Sequence, residues 1–403
     1  MADTEADALH GQPIEHVRRD DVEYVVLGTA HVSRASVAAV EALLERESFD
    51  AVAIELCESR AQGMRDPEAM KRMDLFQVIR QGKTGMVVAS LVLASFQQRL
   101  AAQYGIEPGA EMKAAMRGAE ARGNPLWLVD REVGVTLKRA WRNVDWKARF
   151  GILGGLLGSV FEHGDIDEQE IEKLKQGDLL EGAFSEFAKS SAPLYASLIT
   201  ERDAYMAARL RECARAAPDV RRVLVVIGAG HLKGLCERLR AQDEDPAVRI
   251  AELAAIPPAA RWPKWLALGV VLAIFAAIAW AFHKGAGQGA LALRDWIVCT
   301  GGLAALGALI AGGHPASVFA SFVAAPLKPF RPGIPAGAVG ALTEAWIRKP
   351  RVGDFDTLRG DVQHWRGWWK NRIARTLMLF MLVNIGTIAG EYIAGVHIFK
   401  SLL

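Results

Sequence analysis

The chain has 403 residues, 51% of them hydrophobic, and carries 48 basic against 46 acidic side chains for a formal net charge of +2. So even a balance argues against a protein that holds nucleic acid by charge, and no RRM, zinc-finger or helix-turn-helix pattern stands out. Four cysteines, Cys57, Cys213, Cys236 and Cys299, stand at no metal-ligand spacing, which argues against a disulfide framework or a structural zinc site.

The first 21 residues are acidic and polar and lack an apolar core, so they are not expected to act as a signal peptide. The run 22–27 (VEYVVL) reads as a buried strand stopped by the glycine of GTAH at 28–31. After it, 33–47 places Val37, Val40, Leu43 and Leu44 on one helical face, and 49–56 (FDAVAIEL) is the next strand. That strand delivers Glu55 to the same sheet edge as His31, with Arg60 five positions further on in ELCESR. The apolar stretch 86–96 is too short to cross a bilayer and reads as a buried helix. A third strand, 125–129 (PLWLV), ends in Asp130 and Arg131. Basic residues mixed with Trp141, Trp146 and Phe150 over 137–161 fit an amphipathic helix at a membrane surface or lid, or equally a core-facing one.

Helical patterns follow over 168–189 and over 198–213, the latter carrying Arg202, Asp203 and Arg209 on adjoining turns. Then the opening motif returns: 222–227 (RVLVVI) is again a β-branched run, followed by GAGH at 228–231. Both copies bring a histidine to the C-terminal end of a strand, the edge where open α/β sheets bind ligands. The positive end of the following helix disfavours imidazolium, so His31 and His231 are expected to be mostly neutral near pH 7, ready to bind a metal or accept a proton. The alternative is that each histidine merely caps a turn. A dinucleotide fingerprint is not met, because Lys233 stands where the third glycine belongs. The run 248–253 reads as an edge strand, and Pro257, Pro258 and Pro263 mark a linker. Residues 1–260 are thus expected to form a soluble α/β domain with a parallel or mixed sheet, and 261–403 a helical transmembrane domain.

In the second part, 265–282 and 296–313 are uncharged stretches near bilayer length, and 376–399 is a third, interrupted only by Glu391 and His397. Between them, 314–330 and 331–346 are apolar pieces broken by Pro and Gly that read as half-helices or a re-entrant pair. The loop 348–375 is basic and holds Trp365, Trp368 and Trp369, so the positive-inside rule places it, and the α/β domain, in the cytoplasm beside the inner or plasma membrane. Glu344 and Glu391 are expected near membrane depth, where an ionisable group is costly and often functional. A homodimer would cover the broken helices.

At GTAHVS, ELCESR, ITERDAYM and GAGHLKG, followed by a tail with ALTEAWIRKP and LVNIGTIAGEY, the sequence resembles the TraB/PrgY pheromone-shutdown family over nearly its whole length. The first part is also similar to a wider superfamily containing the Tiki metalloproteases and domains related to haem uptake and erythromycin esterase. The resemblance implies an α/β core of two related halves, with His31, Glu55 and His231 as metal ligands or catalytic groups. Arg60 would hold an anion or oxyanion, with Arg202 and Asp203 as further members. It also implies a divalent transition metal such as manganese or cobalt, although zinc or iron suits the same donors. The membrane tail departs from Tiki, whose domain is secreted, so extracellular cleavage does not carry over. The expected function is a membrane-anchored, metal-dependent hydrolase acting on a peptide or small signal. Two other readings remain: a protein that sequesters the peptide uncut, and transport by the membrane part through Glu344 and Glu391 under control of the soluble part.

Overall fold

The computed structural model describes residues 9, 11–29, 34–66, 74–85, 87–88, 91, 109–144, 192–258, 262–331 and 333–402. They divide into two units, 1–67 with 97–258 and 68–96 with 259–403. The first boundary departs from the sequence expectation of one continuous domain over 1–260, because 68–96 groups with the helical tail.

The first unit opens on a hairpin of β1 (Ile14–Arg19) and β2 (Val22–Thr29). Asp20 and Asp21 form its two-residue turn, both at positive φ, a conformation that short polar side chains tolerate. Next come α1 (Arg34–Arg46), β3 (Ala51–Ile54) and α2 (Glu58–Arg65). α3 (Leu75–Arg80) belongs to the second unit, and the chain returns to the first with α4 (Ala110–Arg122), β4 (Leu126–Leu128) and α5 (Val133–Asn143). A short α6 (Ala192–Tyr195) passes through a π-turn (Ala196–Thr200) into α7 (Glu201–Ala216). The unit closes with β5 (Arg222–Gly228), α8 (Ala229–Ala241) and α9 (Pro246–Ala254).

The five strands form one mixed sheet in the order β1-β2-β5-β3-β4, with only β1 antiparallel to its neighbour. The two glycine-histidine motifs, 200 residues apart, thus follow adjacent parallel strands, with Thr29 opposite Gly228. β2, β3 and β5 are buried on both faces, which explains their unbroken apolar runs. Val25, Leu27 and Ile54 pack under α1 and α4, while Tyr24, Val225 and Ile227 pack under α7 and α8. The expected edge strand at 248–253 is instead α9. Asp245 caps its first turn by accepting from the amides of Ala247 and Val248, and Pro246 fills the position where a missing N–H costs nothing. The helical patterns proposed over 145–161 and 168–189 lie outside the described residues, as does most of 86–96.

In the second unit, α10 (Trp262–Lys284), α11 (Ala286–Ile310), α12 (Pro315–Ala324) and α13 (Ala336–Ile347) precede α14 (Val352–Asp361), α15 (Gly367–Lys370) and α16 (Arg372–Leu402). Among the described residues, two helices are long and apolar enough to cross a bilayer, Ala286–Ile310 and Arg372–Ser401. The first expected span falls in α10, whose apolar stretch, Leu268–Lys284, is shorter. α11 and α16 pack so closely that a Cβ at Gly307 or Gly386 would strike the carbonyl of Leu382 or Leu303, as helix contacts built on small residues require.

The two apolar pieces broken by Pro and Gly form the short helices α12 and α13, joined through residues 325–335. Glu344 is buried between them and accepts from the His314 amide (2.7 Å), Ser317 Oγ (2.8 Å) and Arg348 (2.9 Å), so it caps α12 and balances a guanidinium. Glu391 binds Lys328 through both oxygens (2.9 and 3.1 Å). Both acids therefore have structural partners, which weakens the case for them as a transport path.

Candidate functional site

β3, β4 and β5 end in register, with Ile54 opposite both Val226 and Leu128. Glu55 follows β3 directly and Asp130 follows β4 by two residues, so both carboxylates reach the same sheet edge as the start of α8. Each is almost fully buried. Glu55 Oε2 accepts the Gly228 amide at 2.7 Å, placing a negative charge at the positive end of α8.

The compensating charge comes from α7. Arg202 binds Asp130 with two parallel bonds, Nε to Oδ1 at 3.0 Å and Nη2 to Oδ2 at 2.9 Å, and Nη2 also contacts Glu55 Oε1. Successive residues on a helix point about 100° apart. The first turn of α7 therefore sends Glu201, Arg202 and Asp203 in three directions. Asp203 meets His231, its Oδ1 lying 2.5 Å from Nδ1. A carboxylate only accepts, so Nδ1 carries a hydrogen, and Nε2 lies 3.6 Å from Glu55 Oε1. His231 is wholly buried. Its neighbour Gly234 on α8 makes this approach feasible, since a Cβ there would collide with the Asp203 carboxylate.

Glu201 points away from that cluster to a second one. It accepts from Arg131 (2.9 Å) and from both Nε and Nη2 of Arg139 (2.7 and 2.9 Å). Arg131 is itself buried, held by Thr136 and by the carbonyls of Ser197 and Leu253. Burial alone would raise the Glu201 carboxyl, but the bonds from Arg139 and Arg131 outweigh it and hold the group below the ordinary glutamate value. A depressed carboxyl stabilises the fold above its unfolded value, about 4.3, and loses that contribution as pH falls through the folded value. Glu201→Gln is accordingly expected to cost about 1.5–3 kcal/mol at pH 7. The difference from wild type should shrink below about pH 4. Thermal unfolding of both proteins across pH 3–8 checks this, and a gap that stays constant to the acid end would contradict it.

Of the residues expected at the site, Glu55, Arg202, Asp203 and His231 come together. Arg60 sits half-buried on α2 and, among the described residues, forms no hydrogen bond or ion pair with any of the four. His31 lies outside the described residues, two positions beyond the end of β2. Sequence reasoning noted Asp130 as a strand end but gave it no role, because only the strand order puts β4 within reach of α7. It missed Gly234, although the glycine closing GAGHLKG is a sequence signal for close approach.

His231 Nε2 and Glu55 Oε1 lie at a spacing that suits a shared cation or proton, and the carboxylate on Nδ1 is the usual orienting partner of a ligating histidine. Two donors do not complete a metal site, and among the described residues no group of three His, Cys, Asp or Glu is arranged to hold an ion.

An α/β sheet with an acid-histidine-acid-arginine cluster at its C-terminal edge, followed by a helical region, defines the general class. Residues 14–245 match the TraB/PrgY/gumN family and 262–403 match the C-terminal domain of TraB family proteins. The chain belongs to the TraB/PrgY/gumN family. It is 28% identical to an uncharacterized protein of Methanocaldococcus jannaschii over 94% of this chain and 96% of that protein. It is 27% identical to the human TraB domain-containing protein and 28% identical to the bovine one, covering 66% and 60% of this chain and 74% and 68% of those proteins.

Proposed function

We propose that the chain is a membrane-anchored hydrolase acting on a peptide or small signal, with its site at Glu55, Arg202, Asp203 and His231. The observation that carries this reading is the orientation of His231, fixed on Asp203 at 2.5 Å with Nε2 turned to Glu55 at the sheet edge. A divalent transition ion (Mn, Co, Zn or Fe) would be held by His231 Nε2 and Glu55, with His31 as the third donor, and would polarise a carbonyl and acidify a water.

The chain's own groups supply the rest. Glu55, through a carboxylate lone pair not given to the ion, accepts the proton of the attacking water, and Asp203 holds the His231 ring in place through Nδ1. Arg202, held by Asp130 and Glu55, offers positive charge to the developing oxyanion. The first-turn amides of α8, which no helical carbonyl can take, lie at the same edge.

Membrane anchoring is supported by the helical unit. Only 33% and 39% of the two long apolar segments is buried, less than a core helix of a soluble protein would show. Leu272, Trp280, Leu306, Leu309, Ile385 and Val396 are exposed. The basic loop with Trp365 and Trp369 supports a cytoplasmic α/β unit.

The test is incubation of the full chain, in detergent, with a peptide library, reading products by mass spectrometry and metal content by elemental analysis. Cleavage with a bound transition metal is expected, and His231→Ala should lower the rate by about 10²–10⁴-fold. Intact peptide recovered from a stable complex would replace hydrolysis by sequestration. Equal cleavage by wild type and variant would remove the site from the reaction.

A further inference from the structure

The helical unit contains a pocket of about 650 Å³ lined by six cationic residues together with Ile347 and Pro350. Arg348, Lys349, Arg351, Lys370, Arg372 and Arg375 line it, drawn from the end of α13, the start of α14, the end of α15 and the first turn of α16. Six like charges converging on one concavity are costly unless something negative occupies it.

Among the described residues, only three of the six have a carboxylate nearby, supplied by two acids. Glu344 takes Arg348 at 2.9 Å and lies 3.6 Å from Arg375, and Asp354 stands 4.0 Å from Arg372. Among the described residues, Lys349, Arg351 and Lys370 have no carboxylate partner, and all three are exposed. The amides that open α16 do not contribute, since Asn371 Oδ1 already accepts from Ile373 and Ala374. An incoming ligand would therefore be held by side chains. Two lysines and an arginine around one concavity match a phosphate group, which offers several acceptor oxygens to ammonium and guanidinium donors.

We infer that this pocket binds a phosphate group. Its surroundings favour an anionic phospholipid headgroup over a free phosphate. Trp346, Trp365 and Trp369 are exposed within a few residues of the lining positions, and α16, one of the two helices apolar enough to span a bilayer, begins at its wall. Aromatic side chains beside basic ones at a helix end are the arrangement expected at headgroup level. The lipid source rests on the membrane reading above, whereas binding of phosphate itself does not.

The experiment is native mass spectrometry of the full chain in detergent, titrated in parallel with phosphatidylglycerol, phosphatidylcholine and inorganic phosphate. Retention of phosphatidylglycerol over phosphatidylcholine is expected. The triple variant Lys349→Gln, Arg351→Gln, Lys370→Gln should weaken it by about a hundredfold, at the strength typical of basic residues facing an anionic surface. Lys400→Gln, at the far end of α16, should change it less than twofold. If the triple variant does not fold, Lys370→Gln alone should weaken binding several-fold. Raising the ionic strength to about 1 M, where screening shortens to about 3 Å, should also release the lipid from wild type. Inorganic phosphate bound in preference to lipid would keep the pocket and make its ligand soluble. No binding of either probe, or equal losses in the triple variant and Lys400→Gln, would overturn the inference and leave the basic residues with an orienting role only.

Discussion

Arg202→Ala is expected to destabilise the sheet edge by about 3–5 kcal/mol, the cost of leaving buried charges without their partner. The guanidinium is bonded to both Glu55 and Asp130, whose side chains are 3% and 2% exposed. Without it Glu55 still accepts from the Gly228 amide and Asp130 from the Arg131 amide, and neither donor carries a charge. Arg202→Lys should recover part of the loss, because an ammonium restores charge but cannot make the two parallel bonds to Asp130. Hydrogen exchange at the β5 and Gly228 amides in the full chain reports the local opening energy without assuming two-state unfolding. A change below about 1 kcal/mol in Arg202→Ala would show that the ion pairs contribute little.

Gly234→Ala is expected to separate stability from function. Alanine in a helix gains about 1 kcal/mol over glycine, while overpacking a tight contact costs about 1–3 kcal/mol, so the net change in stability should be small. The atom that must yield is the Asp203 carboxylate, and its displacement breaks the bond that orients His231. Hydrolysis should therefore fall by about 10²–10⁴-fold, as for loss of the histidine itself. The downfield Nδ1–H resonance of His231 should disappear. A variant that kept both its activity and that resonance would show that α8 and α7 adjust around the new methyl group.

Much of the first unit was legible from residue pattern. β2, β3, β4 and β5 lie where the β-branched runs end in glycine or acid, and the repeated glycine-histidine motif correctly placed two distant strands at one sheet edge. β1 is not evident from pattern because IEHVRR is largely exposed and has only two apolar residues, Ile14 and Val17, which do not alternate with polar ones, although the paired aspartates after it are a hairpin-turn signal. The run at 248–253 shows the apolar-polar-apolar start of a strand, Val248-Arg249-Ile250, whereas the Asp245-Pro246 pair before it is the helix-start signal that the fold follows. The chemistry was less legible than the fold. Glu55 and His231 follow from strand ends, but Asp130 needs the order β5-β3-β4, which the sequence does not encode locally. Arg202 and Asp203 were visible as charges on a helix, yet their separate targets depend on how α7 lies across the sheet.

The central claim is that His231 and Glu55 act in one site. The most direct measurement is a double-mutant cycle on the cleavage rate, comparing His231→Ala, Glu55→Gln and the two combined in the full chain. Groups that work as a unit are strongly non-additive, so the combined variant should be no slower than the slower single one. Losses that multiply would mean that the two residues act independently and would contradict the shared site.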